Sequence, residues 1–362
     1  MRDVAAAADV SLKTVSRVVN GERGVGPETV VRVTDTIERL GFRRNDLARS
    51  LRPGQRTTTI GLVVGDVGNP FFSGIARAVE QVARDEGHLV ITGSSDEDPE
   101  HERELIATLC MRRVDGILLV PAGRDQSYLL PEIALGTAVV FLDRPPGGMS
   151  ADAVVLDNVG GARRGVEHLL ARGHRRIGLL RDSSTVLTAQ QRTSGYRAAL
   201  AGAGIQVDER LLCSGLHDAG DASRATRELL ALADPPTALF AVNNRMSLGA
   251  LRALRDRNDS VALVGFDDLE LADMLATPIT VIAHDPAAMG ATAARLLFRR
   301  LAGDTRPHQR VVLPTTLSSG SEAVGHLTLS SCSEAVGHLT LSSGSEAVGH
   351  NPALRGCGEV TP

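Results

Sequence analysis

The sequence predicts two structural classes in one chain. An all-α headpiece with a helix-turn-helix comes first, followed by an α/β core of two lobes, each built on a doubly wound parallel sheet. Three observations predict this. The stretch "VSLKTVSRVVNGERGVG" at 10–26 has a helical period with segregated apolar and polar faces. From Thr57 onward, near-continuous apolar runs alternate with amphipathic segments, as parallel strands covered on both faces do. That alternation restarts near Asp152, so there are two such units.

In the headpiece, residues 3–8 form an Ala-rich helix candidate and Asp9-Val10-Ser11 a turn, with Ser11 placed to cap a second helix over 12–20. On that helix Leu12, Val15 and Val19 recur at i, i+3, i+7 and predict a packing face. Lys13, Arg17 and Asn20 recur at i, i+4, i+7 and predict a hydrogen-bonding face. "NGERGVG" breaks the pattern, and Pro27 opens a third helix, "PETVVRVTDTIERLG", stopped by Gly41. Three short helices with a tight first turn predict a DNA-binding helix-turn-helix. The alternative is a small helical bundle without nucleic acid. Charge favours the first reading: residues 1–56 hold eleven Lys/Arg against seven Asp/Glu, or +4, so the rest carries −8 of the net −4. A basic end on an acidic body suits phosphate contact through that end.

Next comes "RRNDLARSLRPGQRT", a linker whose Pro53-Gly54 ends a short helix candidate. The core follows with "TIGLVVGD", "FFSGIARAVEQVARDEG", "HLVITGSS", "HERELIATLCMRRV" and "DGILLVPA". It restarts with "AVVLDN", "GARRGVEHLLARG", "RRIGLL", "SGYRAALAGAG", "TALFAVNN" and "VALVGFDD". Ligands of such sheets lie at the carboxyl ends of the strands, so a cleft between the lobes is the expected binding site. The expected division is a headpiece over 1–41 and a hinge and linker over 42–56. A first lobe spans 57–155 with 287–312, and a second spans 156–286 with 313–317. Residues 318–362 form a tail in which "SSGSEAVGHLTL" recurs almost unchanged; it is too rich in Ser and Gly to bury much surface and is expected to be disordered.

A length of 362 residues with 43% hydrophobic and 23% charged residues belongs to a soluble globular protein. No run approaches the ~18 apolar residues of a membrane span, and the N-terminus has no signal core, so a cytoplasmic protein is expected. Cys110, Cys213, Cys332 and Cys357 show no metal-ligand spacing and read as free thiols. No metal and no cofactor is expected. "VVGDVGNPFF" lacks the G-x-G-x-x-G spacing that would seat a dinucleotide, and no set of nucleophile, base and orienting group is evident, which argues against an enzyme. A solute-binding protein for sugar uptake is the remaining alternative; the basic headpiece and the missing export signal argue against it.

The run "DVAAAADVSLKTVSRVVNGERGVGPETVVRVTDTIERLGFRRNDLARSLRPGQ" resembles the N-terminal region of the LacI/GalR family of bacterial transcription regulators. It combines D-V-A, V-S-x-x-T-V-S-R-V-x-N, a third helix ending in L-G-F, and N-x-x-A-R-S-L in that order. The resemblance continues through "IGLVVGDVGNPFF", "RVDGILLVPA", "VVFLDRP", "GVEHLLARGHRRIGLL", "ALFAVNN", "VALVGFDD" and "RVVLPTTL", to about residue 317. Asn243-Asn244 departs from the family's usual Asn-Asp. The resemblance implies a periplasmic-binding-protein-like core and a homodimer that binds double-stranded operator DNA under the control of a small, sugar-like effector. Leu12, Lys13 and Arg17 would reach base edges in the major groove, and Ser11, Thr14, Ser16 and Asn20 would contact phosphates. Residues 45–51 match the hinge helix, where Leu51 would wedge into the minor groove beside Ala48. In the cleft the resemblance points to Phe71, Phe72, Arg192, Asn243 and Asp267, with Asp143, Thr188 and a stacking Phe240 as further candidates.

Overall fold

The structure is a computed structural model, and it describes residues 1–42, 57–255, 261–269 and 279–319. Ala48, Leu51 and the rest of the hinge from residue 43, together with Cys332, Cys357 and the repeats beyond 319, lie outside the described residues.

The headpiece holds three helices, α1 (Arg2–Ala7), α2 (Leu12–Val19) and α3 (Pro27–Leu40). Asp9 takes a left-handed φ of 51° in the first turn, which lets the Val10 N–H reach Ala5 O at 3.0 Å. Ser11 caps α2 by accepting the Thr14 N–H at 3.1 Å. Gly41, at φ 58°, ends α3, and the next N–H, that of Phe42, returns to Ile37 O. Val4, Ala5, Ala8, Val15 and Val33 make the buried centre, with Val18, Val19, Ile37 and Phe42 packed around it.

The first lobe runs β1 (Thr59–Val64), α4 (Pro70–Asp85), β2 (Leu89–Ser94), α5 (Pro99–Met111), β3 (Gly116–Leu119), α6 (Leu130–Ala134), β4 (Ala138–Asp143) and β5 (Asp152–Leu156). The second runs α7 (Asn158–Ala171), β6 (Ile177–Leu180), α8 (Leu187–Gly202), β7 (Leu212–Cys213), α9 (Ala219–Leu230), β8 (Ala238–Ala241), α10 (Asn244–Leu254), β9 (Ala262–Phe266) and β10 (Thr280–Ala283). The chain then returns through α11 (Pro286–Leu301) and β11 (Arg310–Leu313) to the first lobe and ends in the second with β12 (Thr316–Ser319).

The strand orders are the same in both lobes: β11-β5-β4-β3-β1-β2 and β12-β10-β9-β8-β6-β7. The first sheet is parallel throughout. The second departs from the expected parallel sheet at one edge, where β12 pairs antiparallel with β10. Strand and helix ends put Leu156, Pro286 and Leu313 with the first lobe, one residue beyond each expected boundary. β12 also takes Ser318 and Ser319 from the segment expected as tail, because their backbones pair with Val281 and Thr280.

Small residues set how the helices lie. A Cβ on Gly290 of α11 would stand 2.5 Å from Ile75 O, so α11 meets α4 backbone to backbone. Gly195 does the same for α8 against α7, where a Cβ would be 2.3 Å from Val159 O. Next to it, buried Tyr196 donates its hydroxyl to Ile177 O at 2.7 Å. The run "RTSGY" at 192–196 thus fixes α8 over its sheet and turns Arg192 toward the strand ends. Among the described residues, no helix is long and apolar enough to cross a membrane.

Candidate functional site

Two surfaces carry the chemistry. On α2, Val15 is fully buried and Val18 and Val19 join it, while Leu12 is 48% exposed. This corrects the expected packing face: Leu12 sits one residue after the cap and projects away from α1 and α3. Lys13 and Arg17 are exposed on the same short helix. Ser11 and Thr14 share a hydroxyl hydrogen bond of 2.9 Å at the cap. Glu22, which the sequence pattern did not single out, approaches Arg17 Nε at 3.8 Å and accepts from Asn20 Nδ2 at 3.2 Å. Asn20 also reaches Ser16 Oγ at 3.4 Å. Ser16, Arg17 and Asn20 are therefore gathered into one exposed polar network.

The second surface is the cleft where the carboxyl ends of both sheets face each other. Asp143 ends β4 and Asp267 follows β9, equivalent places in the two lobes, and both adopt left-handed φ values, 63° and 69°. That conformation costs about 1–2 kcal/mol outside glycine, least for Asp and Asn. Here both carboxylates line the cleft, Asp143 Oδ2 at 3.4 Å from Arg144 Nε and Asp267 beside Arg192. Asp267 accepts from His284 Nε2 at 2.9 Å and lies 3.4 Å from Arg192 Nη1. Burial pushes its carboxyl up, but Arg192, His284 and the Asn244 N–H outweigh burial and hold it below the ordinary carboxylate value. For Asp143 burial wins against Arg144 and Arg192, and its carboxyl is raised. Its Oδ1 is buried without a hydrogen-bond partner.

Arg192 lies 3.7 Å from the centre of the Phe266 ring, donates Nε to Asn158 Oδ1 at 2.9 Å and Nη1 to Val242 O at 2.6 Å. Arg144 is held by Glu97, with Nη2 to Oε1 at 2.7 Å, and by Pro121 O at 2.7 Å. Burial opposes its charge, yet Glu97 keeps it firmly protonated. Across the cleft, Arg245 pairs with Asp66, and the Asn244 and Asn69 amides face each other, with Asn244 Nδ2 to Asn69 Oδ1 at 2.7 Å. The departure from Asn-Asp at Asn244 therefore supplies an amide that matches an amide. Asn243 caps α10 through the Met246 N–H at 2.9 Å and reaches Asp182 at 3.5 Å. Burial raises the Asp182 carboxyl.

Phe71, Phe72, Asp143, Thr188, Arg192, Asn243 and Asp267 all line this cleft, which leaves a cavity of about 70 Å³. A second cavity of about 210 Å³ adjoins it at Arg144, walled by Pro121, Pro145, Pro146, Thr185, Leu187 and Gln190. Phe71 and Phe72 are both largely buried, and Phe71 meets the His284 ring edge-on at 5.2 Å. Phe240 is not at the cleft: it is fully buried in β8, and a Cβ on Gly165 of α7 would touch its ring. The aromatic rings that line the cleft are Phe71 and Phe72, while Phe266, on the neighbouring strand, is buried beneath Arg192. The pattern also missed Asp66, Asn69, Glu97, Arg144, Asp182 and Arg245. Five lie in the short segments after β1, β2, β4 and β6, and Arg245 is the second residue of α10, so a search for polar residues just past each apolar strand would have found them.

A helix-turn-helix joined in one chain to two lobes that close on a charged cleft defines a ligand-binding fold equipped to bind DNA. Comparison with known proteins agrees. Residues 1–45 match the bacterial regulatory proteins of the lacI family, and residues 166–321 match a periplasmic binding protein-like domain. The HTH-type transcriptional regulator CelR of Thermobifida fusca is 37% identical over 329 residues, 87% of this chain and 95% of its own. The HTH-type transcriptional regulator DegA of Bacillus subtilis (strain 168) is 32% identical, with 87% and 95% covered. Among solved structures, the lac repressor dimer bound to operator and the anti-inducer ONPF superposes with a TM-score of 0.76 at 28% identity, covering 87% of this chain and 96% of that one. The chain belongs to the LacI family, and it is a DNA-binding transcriptional regulator, not a solute-uptake protein.

Proposed function

We propose that the chain is a cytoplasmic homodimeric repressor of a pseudo-palindromic operator, released or recruited by a neutral, polyhydroxylated effector in the cleft. The charge balance of the cleft carries the effector class. Its lining holds five carboxylates, Asp66, Glu97, Asp143, Asp182 and Asp267, against three guanidinium groups, Arg144, Arg192 and Arg245. Each guanidinium already pairs with a carboxylate, Arg144 with both Glu97 and Asp143, and among the described residues only Asp182 of the five has no guanidinium within ion-pair distance. An anionic ligand would add to this excess of carboxylates over guanidinium groups, whereas a hydroxyl can donate to Asp143 Oδ1, which has no hydrogen-bond partner. The cleft alone is far smaller than the roughly 300 Å³ at which ligand pockets begin; with the cavity beyond Arg144 it approaches that size, so a second ring or substituent fits the reading.

Relatives have been solved with both ligand types: CelR with cellobiose, at 34% identity and a TM-score of 0.65, and Cra of Pseudomonas putida with fructose 1-phosphate, at 25% and 0.67. The lining groups favour the neutral kind here. On the DNA side, Leu12, Lys13 and Arg17 read bases, and Ser11, Thr14, Ser16 and Asn20 hold phosphates, supported by the exposure of α2. Ala48 and Leu51, outside the described residues, are proposed for the minor groove on the family resemblance. Effector control requires only that the effector bind one arrangement of the lobes better than the other. Calorimetry with neutral mono- and disaccharides and their phosphates tests the cleft. Neutral sugars are expected to bind at least about tenfold tighter than the matching phosphates; tighter binding of the phosphates would overturn the assignment.

A further inference from the structure

Where the core chain begins, at Thr57, one buried carboxylate organises the backbone. Asp115 precedes β3, and its side chain is 8% exposed. Its Oδ1 accepts the Thr57 N–H at 2.8 Å and the Thr57 hydroxyl at 3.2 Å, and its Oδ2 accepts the Thr58 N–H at 2.8 Å. Asp115 then donates its own N–H to Thr59 O at 2.8 Å. Thr58, a β-branched residue, takes a left-handed φ of 52° between these two grips. Such a conformation persists only where the surroundings over-determine it. Two consecutive N–H groups on one carboxylate provide that constraint, and the Thr57 hydroxyl also reaches Arg113 O at 2.9 Å.

We infer that Asp115 is a positioning residue that fixes where the DNA-binding segment leaves the first lobe and links that exit to the effector cleft. The link lies in the two adjacent strands it ties together. β1 starts at Thr59 and β3 at Gly116, both beside Asp115, and they pair from Ile60 to Val63 with Gly116 to Leu119. Their far ends both enter the cleft: β1 leads to Asp66, which pairs with Arg245 of the other lobe, and β3 leads to Pro121, whose carbonyl accepts from Arg144. Strands of this length span roughly 13–20 Å and do not stretch. A shift of the cleft ends on ligand binding is therefore delivered to Thr57 and Thr58 as a displacement instead of being absorbed in a loop. Without the carboxylate, Thr57 and the chain before it are released from that movement.

The inference rests on the cleft being the effector site, and its test separates the two. In the full chain, Asp115→Ala and Asp115→Asn are compared with the parent by operator affinity with and without cellobiose as the sugar probe, by cellobiose affinity in calorimetry, and by amide exchange at Thr57 and Thr58. Faster exchange confined to Thr57 and Thr58, cellobiose affinity within about twofold, and operator affinity lowered about tenfold with a smaller response to cellobiose are expected for Asp115→Ala. Asp115→Asn is expected to fall between, since its amide keeps one acceptor oxygen for two N–H groups. Unchanged exchange and operator affinity would overturn the inference. So would exchange that rises throughout the lobe while cellobiose and operator affinity fall together, the mark of general damage. If cellobiose fails to bind the parent, the effector assignment suffers, while the exchange and operator measurements still decide the role of Asp115.

Discussion

Asp267→Asn separates two jobs that the structure gives one side chain. The substitution keeps the volume and one acceptor oxygen but removes the charge facing Arg192, which is itself buried over Phe266. Breaking a buried ion pair from one side costs about 3–5 kcal/mol because the remaining charge is stranded. Asp143 softens that cost here. Its carboxyl is pushed up in part by repulsion from Asp267, so it ionises more readily once Asp267 is neutral and takes over some of the pairing with Arg192. A loss near the lower end, about 3 kcal/mol, follows. Urea unfolding of the core followed by effector calorimetry reads both consequences: a lower midpoint at unchanged slope, and effector binding weakened at least tenfold. The sign with pH is also set. Asp267 is held below its unfolded value, so its contribution is present above the ordinary carboxylate pKa of about 4 and is lost as pH falls through the folded value. In the variant that part of the acid destabilisation should be missing. Parental stability together with parental effector affinity would refute the role given to the Arg192–Asp267 pair.

Arg17→Ala should weaken operator binding by about 1–3 kcal/mol while random duplex loses much less, as competition binding at fixed salt would show; equal losses on both would mean a phosphate contact. Glu22→Gln frees Arg17 and Asn20 from an exposed carboxylate and should tighten DNA binding by no more than about fivefold. Weaker binding in fluorescence anisotropy would instead give Glu22 an ordering role. Burial raises the Asp143 carboxyl, and a donated effector hydroxyl favours its ionised form, so effector binding should tighten as pH rises through the raised value of this carboxyl, with proton release seen across buffers of different ionisation enthalpy. Lys13 is the only lysine in the chain, so operator DNA should protect that one side chain from an amine-selective acylating reagent, leaving the terminal amine as internal control.

The lobes and the headpiece helices were legible because their signals are local. Apolar runs such as "TIGLVVGD" need burial on both faces, and Ser11, Pro27 and Gly41 punctuate helices by backbone geometry alone. Leu12 was misplaced because a period of i, i+3, i+7 marks a face without saying which neighbours cover it, and the first turn of a helix this short projects beyond them. Phe240 was misassigned for a related reason. Strand position, not residue type, decides whether an aromatic ring faces the cleft or the helix layer, and β8 sets Phe240 against Gly165 of α7. The pairs that bridge the cleft, Asp66 with Arg245 and Asn69 with Asn244, join residues about 175–180 positions apart, and no local period carries such information. The antiparallel β12 escaped for the same reason, since its direction is set by a third passage of the chain between the lobes.

Selection of genomic fragments by the full-length chain at one fixed salt concentration, with Arg17→Ala beside it, tests most directly that this regulator reads a specific operator. Enrichment of one motif with two symmetric half-sites, lost in Arg17→Ala, is the expected result. Retention that rises with fragment length, shows no common motif and survives the substitution would contradict sequence-specific recognition by α2.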